Sequence, residues 1–315
     1  MSKLPIKKAR IAAGLTQVQV SKAVGVSQPT YQRWETGTVS VPKNKLDKLA
    51  QVLDSTLSQL MGKPDPIDLF GIDKNIPDKF TYFGEVAIHF QSGSKPLLLP
   101  ISDAIHSYLQ AVIGNSDDFI EITSLDNRTV FIRSNAIADI FFSSDAYDDY
   151  GPDDYGQQHF GIFPNDDFWK IIEHYECTEC LEDEFSDEEI ENALMTISAT
   201  NSDDVIENVM NESDLNRIQQ NEVNAENFCN RAQKITWQLS ENRIRNVYLC
   251  ENKELYETFS ILPLSEESDY FSFAPEGFHR SIFINLANVD YISVPTHKYR
   301  EGMIESNAEE LGETV

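Results

Sequence analysis

Between Leu4 and Leu60 short runs of helical apolar spacing are interrupted at Gly14, Gly25, Gly37 and Pro42. Long helices cannot run through such breaks, so this stretch is restricted to a bundle of four or five short ones. Thr16 stands where an N-cap belongs, ahead of Gln17 to Val24, with Val20, Ala23 and Val24 on the inward face and Gly25 closing the helix. Ser27 is the next N-cap. Pro29 falls in the first turn, where its missing donor and fixed φ cost least, and the helix from Gln28 to Thr36 ends at Gly37. Tyr31 and Trp34 face Val20 and Val24 across the turn and are assigned to the core.

Charge divides the chain at the same place. The whole carries −27, yet residues 1–63 hold ten Lys or Arg against Glu35, Asp47 and Asp54, a net of +7. Residues 64–315 hold the other 15 basic and 49 acidic residues, a net of −34. Such a reversal predicts two parts with different partners, one drawn to phosphate and one repelled by it. The acidic part is expected to orient away from any nucleic acid.

The segment "LTQVQVSKAVGVSQPTYQRWETG", followed by "VPKNKLDKLAQVLDSTLSQLMG", resembles the phage-repressor or Cro-like (XRE) helix-turn-helix family. The resemblance covers about residues 3–62 and implies an all-α, lambda-repressor-like domain that binds double-stranded DNA, commonly as a homodimer. It places the second helix of the motif in the major groove. Carried over by position, Gln28 would read a base edge, with Thr30, Gln32 and Arg33 further along the same helix. Arg33 suits guanine O6 and N7; Thr30 suits a phosphate or a thymine methyl. Pro29 allows only an apolar contact. Gln17 would hold a phosphate and steady Gln28, and Lys7, Arg10, Lys43 and Asn44 are further phosphate contacts, the last two with Lys45 at the start of the fourth helix.

Beyond residue 63 the expected organisation is a linker over 64–80, a β-rich module over 81–150, an acidic, mainly helical segment over 151–236, a second copy of the module over 237–302 and a mobile acidic tail over 303–315. The duplication rests on "DDFIEITSLDNRTVFIRSNAIADIFF" and "SDYFSFAPEGFHRSIFINLANVDYISV", which share strand, turn, Arg128 or Arg280, strand and a final apolar segment. Each follows a Leu-Pro-x-Ser stretch, at Leu99 and Leu262, and an earlier hairpin-like run around Val86 and Val247. Period-two alternation predicts antiparallel strands with one buried face, and a small sheet of this kind needs its copy to bury enough surface. The two copies would then pack across a pseudo-twofold axis, making this region α+β and the chain multidomain. Ser186 and Asp187 open a helix that carries Ile190, Leu194 and Ile197, continued by Val205, Ile206, Val209 and Met210.

Chemistry is sparse. His174, Cys177 and Cys180 are usable zinc ligands, but no second pair stands at ordinary spacing, so they are read as incidental thiols with no metal. Asp148, Asp149, Asp153 and Asp154 lack a glycine-anchored loop and are read as a solvated acidic run. Glu251-x-Lys253 is placed in a hairpin turn. No phosphate-cradling loop, serine elbow or His-Glu-x-x-His run appears, and no serine–lysine pair marks a self-cleaving peptidase. No cofactor and no catalytic residue is expected. Without an apolar run of about 18 residues no membrane partner is expected, and the placement is cytoplasmic. The leading expectation is a DNA-binding transcriptional regulator, a repressor, whose acidic region dimerises or senses a protein or small-molecule effector. The alternatives are an antitoxin-like autoregulator with a basic protein partner and a metal-dependent enzyme fused to a DNA-binding domain.

Overall fold

Local signals between residues 5 and 63 produce five helices, α1 (Pro5–Ala12), α2 (Gln17–Val24), α3 (Gln28–Glu35), α4 (Lys43–Val52) and α5 (Leu57–Leu60). The computed structural model describes residues 5–63, 67–69, 76–114, 119–144, 163–181, 183–198, 225–248, 251–264, 270–275 and 281–314. Ile6, Val20, Val24, Tyr31, Trp34, Leu49, Leu53 and Leu60 form the core of the bundle. Ala23 does not join them. It is exposed, and Ser21 takes the inward position beside Val20 and Val24.

The remainder repeats one order of elements twice. The first copy runs β1 (Tyr82–Phe90), β2 (Leu97–Ser102), α6 (Asp103–Val112), β3 (Phe119–Thr123), β4 (Arg128–Arg133) and β5 (Ile137–Ser143). The second copy runs β6 (Lys234–Leu239), β7 (Arg243–Tyr248), α10 (Asn252–Phe259), β8 (Tyr270–Phe273), β9 (Ile282–Asn285) and β10 (Val289–Pro295). A short 3-10 turn precedes the last strand of both. The strand pairings agree: β2-β1-β5 is matched by β7-β6-β10, and β3-β4 by β8-β9. Two details differ from the sequence expectation. Val86 lies in β1 but Val247 in β7, and Leu99 lies in β2 whereas Leu262 follows α10, so these matched residues are not structural equivalents. Lys253 lies in the first turn of α10, not in a hairpin.

The copies interlock rather than stack. β4 pairs with β10, with Ile132 opposite Tyr291 and Phe131 opposite Ile292, which yields one five-stranded antiparallel sheet of order β3-β4-β10-β6-β7. Its two faces line separate cores. Ile120, Ile122, Val130 and Ile132 turn towards Val86, Ile88, Leu99 and Leu109. Phe119, Phe131, Ile292 and Val294 turn towards Trp237, Leu255, Phe259 and Phe271. β4 and β10 are therefore buried on both faces, not on one, and β10 is buried along its whole length.

Between the copies, α7 (Asp166–Glu173), α8 (Asp187–Ser198) and a helix over residues 225–233 (α9) bury Trp169, Ile172, Phe185, Ile190, Ile197 and Phe228. Ser186 caps α8 together with Glu189 in a reciprocal box. The second copy starts at Lys234, so β6 crosses the boundary set at 236. Val205, Ile206, Val209, Met210, the aspartates between 148 and 154, and Arg280 lie outside the described residues. The expected mobile tail is a correction: residues 303–310 belong to α11 (Thr296–Glu310), whose Ile304 and Ala308 pack on Ile11 of α1. No described helix is long and apolar enough to cross a membrane.

Candidate nucleic-acid interface

The geometry of α2 and α3 follows from their caps. The Thr16 hydroxyl accepts from the Gln19 amide at 3.2 Å while the Gln19 side chain accepts from the Thr16 amide at 2.8 Å. Gly25 ends α2 at a φ of 75°, a left-handed conformation that glycine adopts without a Cβ penalty. The Lys45 ammonium covers the Val24 carbonyl at 3.0 Å, so this lysine is spent inside the unit. Ser27 then caps α3.

Over α3, Tyr31, Trp34 and Glu35 are buried, which leaves the opposite face to solvent. Gln28, Gln32 and Arg33 are exposed and Thr30 half-buried. The side chains of Gln28, Gln32 and Arg33 have no hydrogen-bond partner among the described residues, so their donors and acceptors are open to a base edge. Thr30 Oγ1 lies 2.8 Å from Ser27 Oγ, which ties it to the cap. Lys43 and Asn44 are exposed at the start of α4, whose N-cap Pro42 makes no side-chain hydrogen bond to the first amides.

Three expected phosphate contacts are placed differently. Arg10 is fully buried; its Nε donates to Glu35 at 2.6 Å and its Nη2 to Glu313 at 2.6 Å. A carboxylate as buried as that of Glu35 needs a cation, and among the described residues Arg10 supplies it. Gln17, half-buried, donates through Nε2 to the same carboxylate. Lys7 donates to the Thr314 carbonyl at 2.5 Å, on the side of α1 that meets the C-terminal helix. Sequence reasoning missed Glu35, although it stands four residues after Tyr31 and next to Trp34, on the buried stripe of α3.

Residues 6–60 match the helix-turn-helix family model. The N-terminal unit is thus a helix-turn-helix DNA-binding unit of the XRE type, with α2 and α3 as its motif. No curated protein and no solved structure matches the chain. Away from the helix-turn-helix unit, His174 Nδ1 lies 3.1 Å from the Lys170 carbonyl, and the Cys177 and Cys180 sulfurs are 2.8 Å apart. Among the described residues no three His, Cys, Asp or Glu side chains converge as metal ligands would.

Proposed function

We propose that this chain is a homodimeric, sequence-specific regulator of transcription, acting as a repressor, whose acidic C-terminal region supplies dimerisation, a sensing surface, or both. The observation that supports it is the set of three unpartnered polar side chains, Gln28, Gln32 and Arg33, on the solvent face of α3. An amide can pair with adenine N6 and N7 and a guanidinium with guanine O6 and N7, each worth about 1–3 kcal/mol of discrimination. One such unit covers a half-site, which favours two chains spaced by a helical turn of duplex. Selection of bound duplexes from a random pool, followed by titration across a salt series, tests the proposal. Gln28→Ala and Arg33→Ala are expected to relax preference at separate positions and to cost about 1–3 kcal/mol each, while Lys43→Gln weakens all sequences alike. Recovery of no preferred duplex, or preferences unchanged in both variants, would falsify it.

A further inference from the structure

A cavity of about 700 Å3 lies between the helix-turn-helix unit and the C-terminal region. That volume is in the ordinary range for small-molecule sites, roughly 300–1,000 Å3. Its accessible apolar lining includes Ile67, Phe80, Leu125 of the β3–β4 turn and Phe163, with the buried Ile11 of α1, Trp169 of α7 and Ile304 of α11 behind. Six lining side chains are Lys or Arg and four are Asp or Glu; Lys7, Lys8 and Lys63 come from the basic first 63 residues and all four acids from the C-terminal region.

Several of these charges neutralise one another. Lys8 pairs with Glu301 at 2.8 Å, Arg300 with Asp166 at 3.1 Å and Lys170 with Glu301 at 3.4 Å. Lys7, Lys63 and Lys79 have no carboxylate partner among the described residues. Lys7 donates to the Thr314 carbonyl, Lys79 donates to the Asp54 carbonyl and stands 5.4 Å over the Phe80 ring, and each ammonium keeps further N–H donors.

We infer that this cavity binds a small amphipathic anion, with the apolar body over Phe80, Leu125 and Phe163 and the carboxylate, phosphate or sulfonate group among Lys7, Lys63 and Lys79. The walls belong to both sides, α1 and Lys63 on one and α7 and α11 on the other, so occupancy alters the contact that seats the DNA-binding unit. This regulatory consequence rests on the proposed function; the binding itself does not.

The probe is 8-anilinonaphthalene-1-sulfonate, compared with N-phenyl-1-naphthylamine, which has the same rings and no charge. The full chain is expected to bind one equivalent of the sulfonate at least about tenfold more tightly than the neutral dye. Lys63→Gln/Lys79→Gln should abolish that preference and leave neutral-dye binding unchanged, and Leu125→Trp should block both dyes. Lys63→Gln alone, at an exposed position, provides a milder variant should the double one unfold, as monitored by thermal melting. Equal affinity for the two dyes, or sulfonate binding unchanged in the lysine and tryptophan variants, overturns the assignment. Dye bound in the cavity without any shift in duplex affinity overturns the regulatory link alone. A chain that binds the dye and no duplex leaves the cavity standing and ends the regulator reading.

Discussion

Arg10 joins the two ends of the described chain within one side chain. Burial works against its charge, but hydrogen bonds to Glu313 and Glu35 outweigh that and raise its pKa above the usual guanidinium value. Removing one partner of a buried ion pair strands the other, at a typical loss of about 3–5 kcal/mol, whereas replacing both can be nearly neutral. Arg10→Met should therefore cost about that much in urea unfolding, and Arg10→Met/Glu35→Gln should recover most of it. A double variant no more stable than the single one would show that the pair is not the source. Asp126 and Glu173 are two of the carboxylates that weaken the fold in acid. Burial pushes Asp126 up, yet Arg128 and Arg231 beside it prevail and hold it at about 2. Glu173 is likewise pushed up by burial, yet held at about 2 by the hydrogen bond from His297 and the Lys298 ammonium. Both bind fewer protons folded than unfolded, so the stability they supply is complete above about pH 5 and is lost as the pH falls towards 2. Urea midpoints measured from pH 7 to pH 2 should trace that decline, and Asp126→Asn and Glu173→Gln should each flatten part of it. A decline as steep in the variants as in the parent chain would remove both groups from the account.

At the scale of elements, α11 joins the units: it lies on α1 and α10 together. Asn307 donates to the Ile11 and Ala12 carbonyls at 3.1 and 3.3 Å, so a side chain of α11 caps the end of α1. Where α11 meets α10, Gly302 comes so near that a Cβ would fall 1.9 Å from the Asn252 carbonyl oxygen. Gly302→Ala should separate the two helices and cost about 1–3 kcal/mol, readable as a lower melting temperature; an unchanged melt would mean the helices part freely. The helix-turn-helix elements were legible in the sequence because Thr16, Gly25, Ser27 and Gly37 act on their own turns. α11 was not, because its buried face includes His297 and Lys298, satisfied by Asn127 and Glu173 far away in sequence. The partners of Arg10, Gln17 and Lys7 were illegible for the same reason: they are a buried carboxylate and the segment after α11. The repeat was legible over β3-β4-β5 and β8-β9-β10, where alternation and the turn agree. It failed upstream because a four-residue likeness at Leu99 and Leu262 carried no structural equivalence.

Across the whole molecule the charge reversal takes a definite form. Lys8 and Arg10 are already matched by Glu301 and Glu313, so the cationic excess of the first 63 residues is drawn down on the α1 side and kept at α3 and the start of α4. The salt dependence of duplex binding should accordingly report fewer phosphates than ten basic residues would suggest. The β4–β10 pairing has a consequence for how the molecule is made. Ile132 leaves the ribosome long before Tyr291, its neighbour in the sheet. The first module must wait during synthesis with one flank of β4 open, a state prone to pairing with other nascent chains. A stop codon placed just ahead of Val289 should leave two unclosed cores and send the product to inclusion bodies or proteolysis, although every residue of the DNA-reading helix would still be present.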